Sequence, residues 1–155
     1  MRGEDLRAVM RRFPTGVAVV TVDASGQRLG LTVGSLVALS LEPPLVGFSV
    51  SRQAALHELL REAGGFAVSM LAAGQEVVAQ HFARGVPPIA MWSGVEVEPG
   101  DGPPLLAGAT GWLRAELSFA TEVGTHTFFG GEVTEALAGP GSGALLRLEG
   151  AYLST

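Results

Sequence analysis

The chain has 155 residues, 47% of them hydrophobic, a size that supports one hydrophobic core and excludes two ordinary domains, so we expect a single domain over residues 1–155. Its net charge is −5, and its ten basic residues are all arginines scattered along the sequence, which argues against a nucleic-acid-binding protein. The absence of cysteine excludes disulfide bonds, thiolate zinc sites and a cysteine nucleophile.

No segment is typical of a membrane protein or of a secreted precursor. The longest apolar stretches, such as residues 34–41, are interrupted well before the roughly 20 residues that a membrane-spanning helix needs. The N-terminal residues lack the combination of basic start, apolar centre and cleavage site that marks a signal peptide. We therefore expect a cytoplasmic protein that makes no membrane contact.

The first third of the chain predicts a short helix followed by four strands. Apolar residues recur at helical spacing over residues 6–13, ahead of a proline that ends the helix. Two β-branched runs, at residues 16–22 and 29–33, flank a turn rich in Asp, Ser and Gly, which predicts a hairpin. Apolar runs at 35–41 and 45–50 predict two further strands, separated by consecutive prolines.

Two helices and one strand are predicted next. Leu56, Leu59 and Leu60 mark one face of a helix that a pair of glycines terminates. The run at residues 66–71 is a strand, and a second helix extends from about residue 75 to 83.

The last part of the chain predicts a long loop and three strands. Residues 84–104 are rich in Gly and Pro and form an excursion in which residues 95–97 are the only strand candidate. An excursion of this length is typical of a segment that covers another part of a protein. Strand-like runs occupy residues 109–120, 125–138 and 144–148.

This order of elements favours a mainly β protein with a few short helices. Many short strands at even spacing predict a closed antiparallel barrel, because closure removes unpaired sheet edges. A doubly wound sheet would need alternating helices. The Gly-rich residues 139–143 lie between strands, so they are not a dinucleotide-binding fingerprint.

Histidine spacing gives no sign of a metal site. His57, His81 and His126 lie on three different predicted elements, without a metal-ligand pattern. We interpret His57 and His81 as solvated or capping residues in polar settings on helices. His126 differs because it begins a strand between two threonines. No Gly-x-Ser-x-Gly motif supports a hydrolase.

Six hydroxyl or glycine residues lie close to the ends of predicted strands, and one arginine follows them. They are Thr32, Gly34, Ser35, Ser40, Ser49, Ser51 and Arg52. Such a cluster can bind phosphate through hydroxyl and backbone N–H donors, with the guanidinium supplying charge. On spacing alone, the commoner interpretation is that these residues form turns and polar strand faces.

Four segments taken together are similar to one known family. Residues 12–17, 30–36, 39–46 and 124–133 resemble the flavin reductase-like family in order and spacing along nearly the whole chain. The resemblance implies an antiparallel FMN-binding split β-barrel and a homodimer. It also implies NAD(P)H:flavin oxidoreductase activity that supplies reduced flavin to a partner monooxygenase.

The same resemblance implies which residues bind flavin. Those expected around the isoalloxazine ring are Thr32, Val33, Gly34, Ser35 and Leu36, with Ser40 nearby. Those expected at the phosphate are Ser49, Val50, Ser51 and Arg52. Phe82 and Ala83 correspond to a flavin-contacting pair at a helix end. FMN is the expected cofactor, with FAD as the alternative and NADH or NADPH as the co-substrate.

Two residues are implied to contact the nicotinamide cofactor. His126 corresponds to the histidine of a Gly-Asp-His motif and is the expected catalytic residue, although Thr125 replaces the acid here. Tyr152 lies in a Gly-x-Tyr sequence associated with nicotinamide binding, and a barrel-edge aromatic is an equally good interpretation. At the phosphate turn, residues 53–55 lack the hydroxyls that the family usually carries.

Three functional hypotheses follow from these observations. The main one is an NAD(P)H-dependent flavin reductase, in which the cofactors carry out the bond chemistry and the protein aligns them. Thr125 and the missing hydroxyls motivate the second, a flavin-binding carrier or sensor without significant NAD(P)H turnover. The third is a split barrel that binds haem or a deazaflavin. It is disfavoured because His126 would have to be an axial ligand in a tight turn.

Overall fold

The structure is a computed structural model that describes residues 1–155, and it contains four helices and ten strands. The helices are α1 (Gly3–Met10), α2 (Ala55–Ala63), α3 (Glu76–Ala83) and α4 (Pro88–Met91). The strands are β1 (Thr15–Gly16), β2 (Ala18–Ala24), β3 (Gln27–Val33), β4 (Val37–Leu41), β5 (Pro44–Ser51), β6 (Gly65–Met70), β7 (Gly111–Val123), β8 (His126–Ala138), β9 (Leu145–Leu148) and β10 (Ala151–Ser154).

Most predicted elements are present within a few residues of their expected bounds. The predicted strand at 16–22 is divided at Val17, because β1 pairs with β9 in one sheet while β2 pairs with β3 and β6 in another. Residues 95–97 form no strand, and only Val97 makes an isolated bridge, with Leu106. Helix α4 and strand β10 were not predicted, since four residues are too few to show a hydrophobic period.

The strands form two antiparallel sheets. The larger has seven strands in the order β3-β2-β6-β7-β8-β5-β4, and the smaller has the order β1-β9-β10. Strands β7 and β8 form a long hairpin of thirteen residues on each side. Its turn is tight because Gly124 adopts a φ of 59°, which glycine accepts without steric cost. The mainly β, antiparallel architecture is confirmed.

The large sheet is not closed by backbone pairing. Its two edge strands, β3 and β4, do not pair with each other, and the short connection between them crosses towards β5. There the Ser35 hydroxyl accepts a hydrogen bond from the Ser49 N–H at 2.9 Å and donates to the Ser49 carbonyl at 3.4 Å. The expectation of a fully closed barrel, which came from the strand spacing, is therefore wrong. A side-chain bridge replaces a backbone ladder, which agrees with a split barrel.

The core lies between the curved sheet and α2. Phe48, Phe66 and Phe129 are each at most 1% exposed, and the ring centroid of Phe48 lies 5.0 Å from that of Phe66 and 6.1 Å from that of Phe129. Helix α2 covers one side by burying Leu56 and Leu60. Each such side chain contributes about 1.5–3 kcal/mol through burial.

His57 is a core residue, so its interpretation as a solvated or capping histidine is wrong. It is 3% exposed, and its Nε2 lies 2.7 Å from the Thr127 hydroxyl. Its Nδ1 lies 3.1 Å from the Glu58 carboxylate, which can only accept a hydrogen bond there. The reason is helical geometry, because position 57 lies one turn before Leu60 on the inward face. His81 is half-buried, and its Nε2 bonds to the Met91 carbonyl.

None of the four helices combines the length and the apolar composition that a membrane crossing requires. The single-domain organisation and the cytoplasmic location stay predictions.

We predict that His57→Ala lowers the free energy of unfolding by about 2–4 kcal/mol, because it leaves a cavity and removes the only hydrogen-bond partner of the fully buried Thr127 hydroxyl. Urea unfolding of His57→Ala, Thr127→Val and the double variant measures this effect. The double variant should be more stable than the sum of the single losses implies. Strict additivity would mean that the two side chains are not coupled.

Candidate functional site

Two adjoining cavities along β3 form one elongated groove. The larger, of about 320 Å³, lies between residues 29–31 of β3, the start of α2 and the segment that carries α4. The smaller, of about 230 Å³, is lined by residues 32–34, the end of α3 and Tyr152 of β10. Because Ala83 lines both cavities, we treat them as a single feature, the β3 groove, with an α2 end and a β10 end.

At its α2 end the β3 groove meets unpaired backbone donors. No side chain caps the N-terminus of α2, where Ala54 is the N-cap residue. The N–H groups of Ala55 and Leu56 have no acceptor within the chain, and both residues line the groove. Free N–H groups at a helix N-terminus carry partial positive charge and bind anions. The α2 end is therefore a candidate site for a phosphate.

The turn ahead of α2 carries one positive charge, that of Arg52, next in sequence to the lining residue Gln53. The Arg52 side chain is 43% exposed, and its Nη1 lies 3.7 Å from the Glu122 carboxylate. Its backbone N–H donates to the Thr125 carbonyl at 3.1 Å, which ties the turn to the β7–β8 hairpin. The Ser51 hydroxyl accepts from the Gln53 N–H at 3.3 Å. Arg52 thus has only an exposed carboxylate as its partner, a weak interaction that a phosphate can replace.

The β10 end offers a flat surface and a second positive charge. The Arg147 guanidinium carbon lies 4.3 Å from the ring centroid of Tyr152, in a cation–π contact. Opposite them, the Thr32 hydroxyl donates to the Ala79 carbonyl at 2.6 Å, which holds α3 against β3. Gly34 lies so close to Thr15 that an added Cβ would stand 2.8 Å from the Thr15 hydroxyl oxygen. This end suits a planar ring near a cation.

The segment around α4 covers the α2 end of the groove. The Trp92 indole N–H donates to the Arg28 carbonyl at 2.7 Å, and the Gly30 N–H donates to the Met91 sulfur at 3.2 Å. The Phe82 ring packs directly over Gly30, where an added Cβ would meet it at 2.8 Å. The excursion over residues 84–104 is therefore attached to β3 and forms one wall of the groove.

His126 lies away from Tyr152 within one chain. It opens β8 directly opposite Ser51 of β5, and its Nδ1 is 3.0 Å from the Thr125 hydroxyl. The side chain is exposed. His126 is thus a neighbour of the Ser51–Arg52 turn, whereas Tyr152 lines the β10 end. The two residues that the resemblance assigns to the nicotinamide are not brought together in a single chain.

The structure brings some of the other predicted residues to the β3 groove and leaves others apart. Thr32, Val33 and Gly34 line the β10 end, Phe82 lines the α2 end and Ala83 lines both. Val50 is 1% exposed, so its side chain belongs to the core.

Three more of these residues have different surroundings. Ser35 forms the bridge to Ser49. Leu36 lines a separate cavity with Leu145. The Ser40 hydroxyl accepts from the Glu42 N–H, on the far edge strand β4.

Sequence reasoning missed several residues that line the groove. Arg147 faces Tyr152 across the β9–β10 ladder, a pairing that nothing near Arg147 in the sequence reveals. Leu56 and α4 were missed because they carry no charged or hydroxyl side chain, whereas residues 53–55 were placed at the phosphate turn but expected to weaken it. The strand alternation of β9 would have placed Arg147 on the same face as Leu145, but it does not show which cavity that face borders.

A groove with free N–H groups at one end and a flat aromatic surface beside a cation at the other, on the edge of an antiparallel split barrel, is typical of the class of proteins that bind a nucleotide cofactor. Comparison with known proteins refines that class. Residues 10–154 match the family described as "Flavin reductase like domain". The chain belongs to this family, which confirms the resemblance recognised in its sequence.

Individual relatives agree with the family. The chain is 43% identical over 145 residues to an NADH-dependent FAD reductase of Streptomyces globisporus, covering 91% of this chain and 79% of the relative. It is 34% identical over 138 residues to an NADH:FMN oxidoreductase of Rhodococcus erythropolis, covering 86% and 70%. The solved structure of BorF, the flavin reductase component of a bacterial two-component tryptophan halogenase, superposes with a TM-score of 0.88 at 34% identity, covering 99% and 98%.

Proposed function

We propose that this chain is a flavin reductase that oxidises NADH and reduces FMN or FAD. The observation that carries the proposal is the β3 groove, whose α2 end offers free N–H groups to a phosphate and whose β10 end offers a flat surface to a ring. Relatives that reduce FAD and FMN with NADH cover most of the chain, which supports the same reaction here. The sequence analysis leaves NADPH as the alternative co-substrate.

The residues of the groove fit a flavin. Its phosphate is expected at the Ala55 and Leu56 N–H groups, with Arg52 supplying charge. Its ring is expected beside Thr32 and Gly34, which line the β10 end. This orientation needs no hydroxyl at residues 53–55, because backbone N–H groups provide the missing donors.

The chain itself has to bind and orient two ring systems and exclude water from between them. A bound flavin supplies the atom, N5, that accepts hydride, so no protein acid or base is required for bond chemistry. The Arg147 guanidinium, held over Tyr152, places positive charge at the β10 end and favours a negatively charged ring there. Met91 lines the α2 end and is held there by the hydrogen bond that its sulfur accepts from the Gly30 N–H.

His126 is proposed to orient the nicotinamide cofactor. It is exposed and hydrogen-bonded only to its neighbour Thr125, so it is free to contact a substrate. Because it borders the Ser51–Arg52 turn, its contact is with a ligand that extends from the groove towards the β7–β8 hairpin. Tyr152 is proposed to contact the ring at the other end of the groove.

The reaction is tested by the absorbance spectrum of the purified protein and by NADH consumption after FMN or FAD is added. A flavin spectrum with rapid NADH oxidation is the expected result. Tight flavin binding without NADH oxidation would instead identify a carrier or sensor, and the absence of any flavin affinity would refute both functions.

The same assay tests His126. We expect His126→Ala to raise the KM for NADH several-fold and to leave the Kd for flavin unchanged, because the imidazole touches the co-substrate only. His81→Ala is a poor control, since His81 bonds to the Met91 carbonyl of the wall. Gln80→Ala, an exposed change on α3, is a suitable control. Loss of flavin with an unchanged KM would assign His126 to flavin binding.

The phosphate end is tested by Ala54→Asp. An aspartate at the N-cap of α2 accepts the free N–H groups and stabilises the helix by about 1 kcal/mol, while its charge repels a phosphate. We expect the Kd for FMN to rise at least about tenfold, whereas riboflavin, which has no phosphate, binds as before. Ala54→Asn is the uncharged control. An equal loss of riboflavin and FMN would show that the phosphate does not bind at α2.

Partners are proposed at two levels. One relative is the reductase component of a two-component halogenase, so a flavin-dependent oxygenase is the expected recipient of reduced flavin.

A homodimer is proposed because the exposed hairpin and β4 carry apolar side chains, with Phe119 38%, Val123 57% and Leu41 89% exposed. Sedimentation equilibrium should give twice the 16.0 kDa chain mass. A monomer at micromolar concentration would contradict it.

A further inference from the structure

Two hydrogen bonds attach the start of α2 to the chain around the start of β8. The Arg52 N–H donates to the Thr125 carbonyl at 3.1 Å, and Nε2 of His57 lies 2.7 Å from the Thr127 hydroxyl. The second contact is the only hydrogen bond between a side chain of α2 and the sheet. The leucines of α2 pack on the same sheet, but apolar burial is non-directional, whereas a hydrogen bond fixes a direction. The orientation of the first turn of α2 therefore depends on His57.

The neighbours of His57 determine the role of each ring nitrogen. Nδ1 lies 3.1 Å from the Glu58 carboxylate, which accepts but cannot donate, so Nδ1 carries a proton. Nε2 of a neutral ring then accepts a hydrogen bond from the Thr127 hydroxyl. His57 is 3% exposed and Thr127 is fully buried, so water does not compete for this bond. An edge-to-face contact with Phe129, at 5.3 Å between ring centroids, further restricts the orientation of the imidazole.

His57 directly follows the two residues whose N–H groups are free. Its own N–H donates to the Ala54 carbonyl at 3.0 Å and closes the first turn of α2, which leaves the N–H groups of Ala55 and Leu56 without an acceptor. Peptide planes are rigid and a helix fixes their orientation, so these N–H groups keep a constant direction relative to the helix axis. A shift of the imidazole therefore moves both free N–H groups at the α2 end of the β3 groove.

We propose that His57 is a positioning residue, which through Thr127 holds the free N–H groups of α2 in the direction that a flavin phosphate requires. The inference rests on the proposed function, in which the phosphate binds at Ala55 and Leu56. Loss of the Thr127 hydroxyl leaves Nε2 of His57 buried without a donor, and the first turn of α2 moves to relieve this cost. No residue of α2 or β8 lines the β10 end of the groove, so a ring bound there is unaffected.

The test compares Thr127→Val with Thr127→Ser. Valine matches the shape of threonine but lacks the hydroxyl, whereas serine keeps it. Fluorescence titration should give a Kd for FMN that is about tenfold higher in Thr127→Val, the loss of one charge-assisted hydrogen bond, and an unchanged Kd for riboflavin. Thr127→Ser should bind FMN as the unaltered chain does. Thr110→Val is a control, because it removes a threonine bond to the Met70 carbonyl outside α2, β8 and the β3 groove.

A second pair of variants changes His57 itself and covers the case in which Thr127→Val does not fold. In His57→Gln the amide oxygen reaches the position of Nε2 and accepts from the Thr127 hydroxyl, whereas the shorter side chain of His57→Asn does not reach it. His57→Gln should keep the FMN affinity of the unaltered chain. His57→Asn should bind FMN about tenfold more weakly, with riboflavin binding unchanged in both variants.

The proposal is overturned if FMN and riboflavin lose affinity equally, if Thr127→Ser binds FMN as weakly as Thr127→Val, or if His57→Gln and His57→Asn behave alike. Failure of the proposed phosphate site is recognised separately by Ala54→Asp. If Ala54→Asp weakens FMN and riboflavin equally, no phosphate binds at α2 and the role of His57 falls with it. If Ala54→Asp weakens FMN alone while Thr127→Val leaves FMN affinity unchanged, the phosphate site stands and only the role of His57 is refuted.

Discussion

The unpaired edge of β3 is the constraint on which the site depends. An edge strand exposes backbone N–H and C=O groups that must find partners or attract another strand. Here side chains supply those partners, because the Arg28 carbonyl accepts from Trp92 and the Gly30 N–H donates to Met91. In addition, the Thr32 hydroxyl donates to the Ala79 carbonyl, which holds α3 beside the same strand. The elements that protect the edge are therefore the ones that wall the β3 groove.

The split in the barrel has the same origin. If the edge strands β3 and β4 paired with each other, the sheet would close and the edge of β3 would no longer be free. Instead one hydroxyl, that of Ser35, satisfies both backbone groups of Ser49 and holds the two parts of the barrel together. A hydroxyl can do this because it donates and accepts at once. The barrel thus remains connected while one face of β3 stays available to helices and, by our proposal, to a ligand.

Local patterns predicted most elements because their signals are local. The leucine stripe of α2 and the β-branched runs of β2 and β3 can be recognised within a few residues. Barrel closure was mispredicted because strand pairing joins residues that are distant in sequence. His57 was wrongly interpreted as solvated, because histidine is polar and its position on the leucine-bearing face of α2 was given too little weight. At the site, Arg147 could not be found, since only the fold brings it to Tyr152.

At the proposed phosphate turn, backbone geometry can take the place of a side-chain motif. The sequence suggests a weakened phosphate site, because Gln53, Ala54 and Ala55 lack hydroxyl donors. In the structure these residues open α2, where the free N–H groups of Ala55 and Leu56 are fixed by the helix. Small side chains leave those N–H groups accessible, whereas a capping hydroxyl would itself occupy them as an acceptor. By our proposal, what phosphate binding requires at this turn is a small residue at an uncapped helix start, which a search for Ser and Thr does not detect.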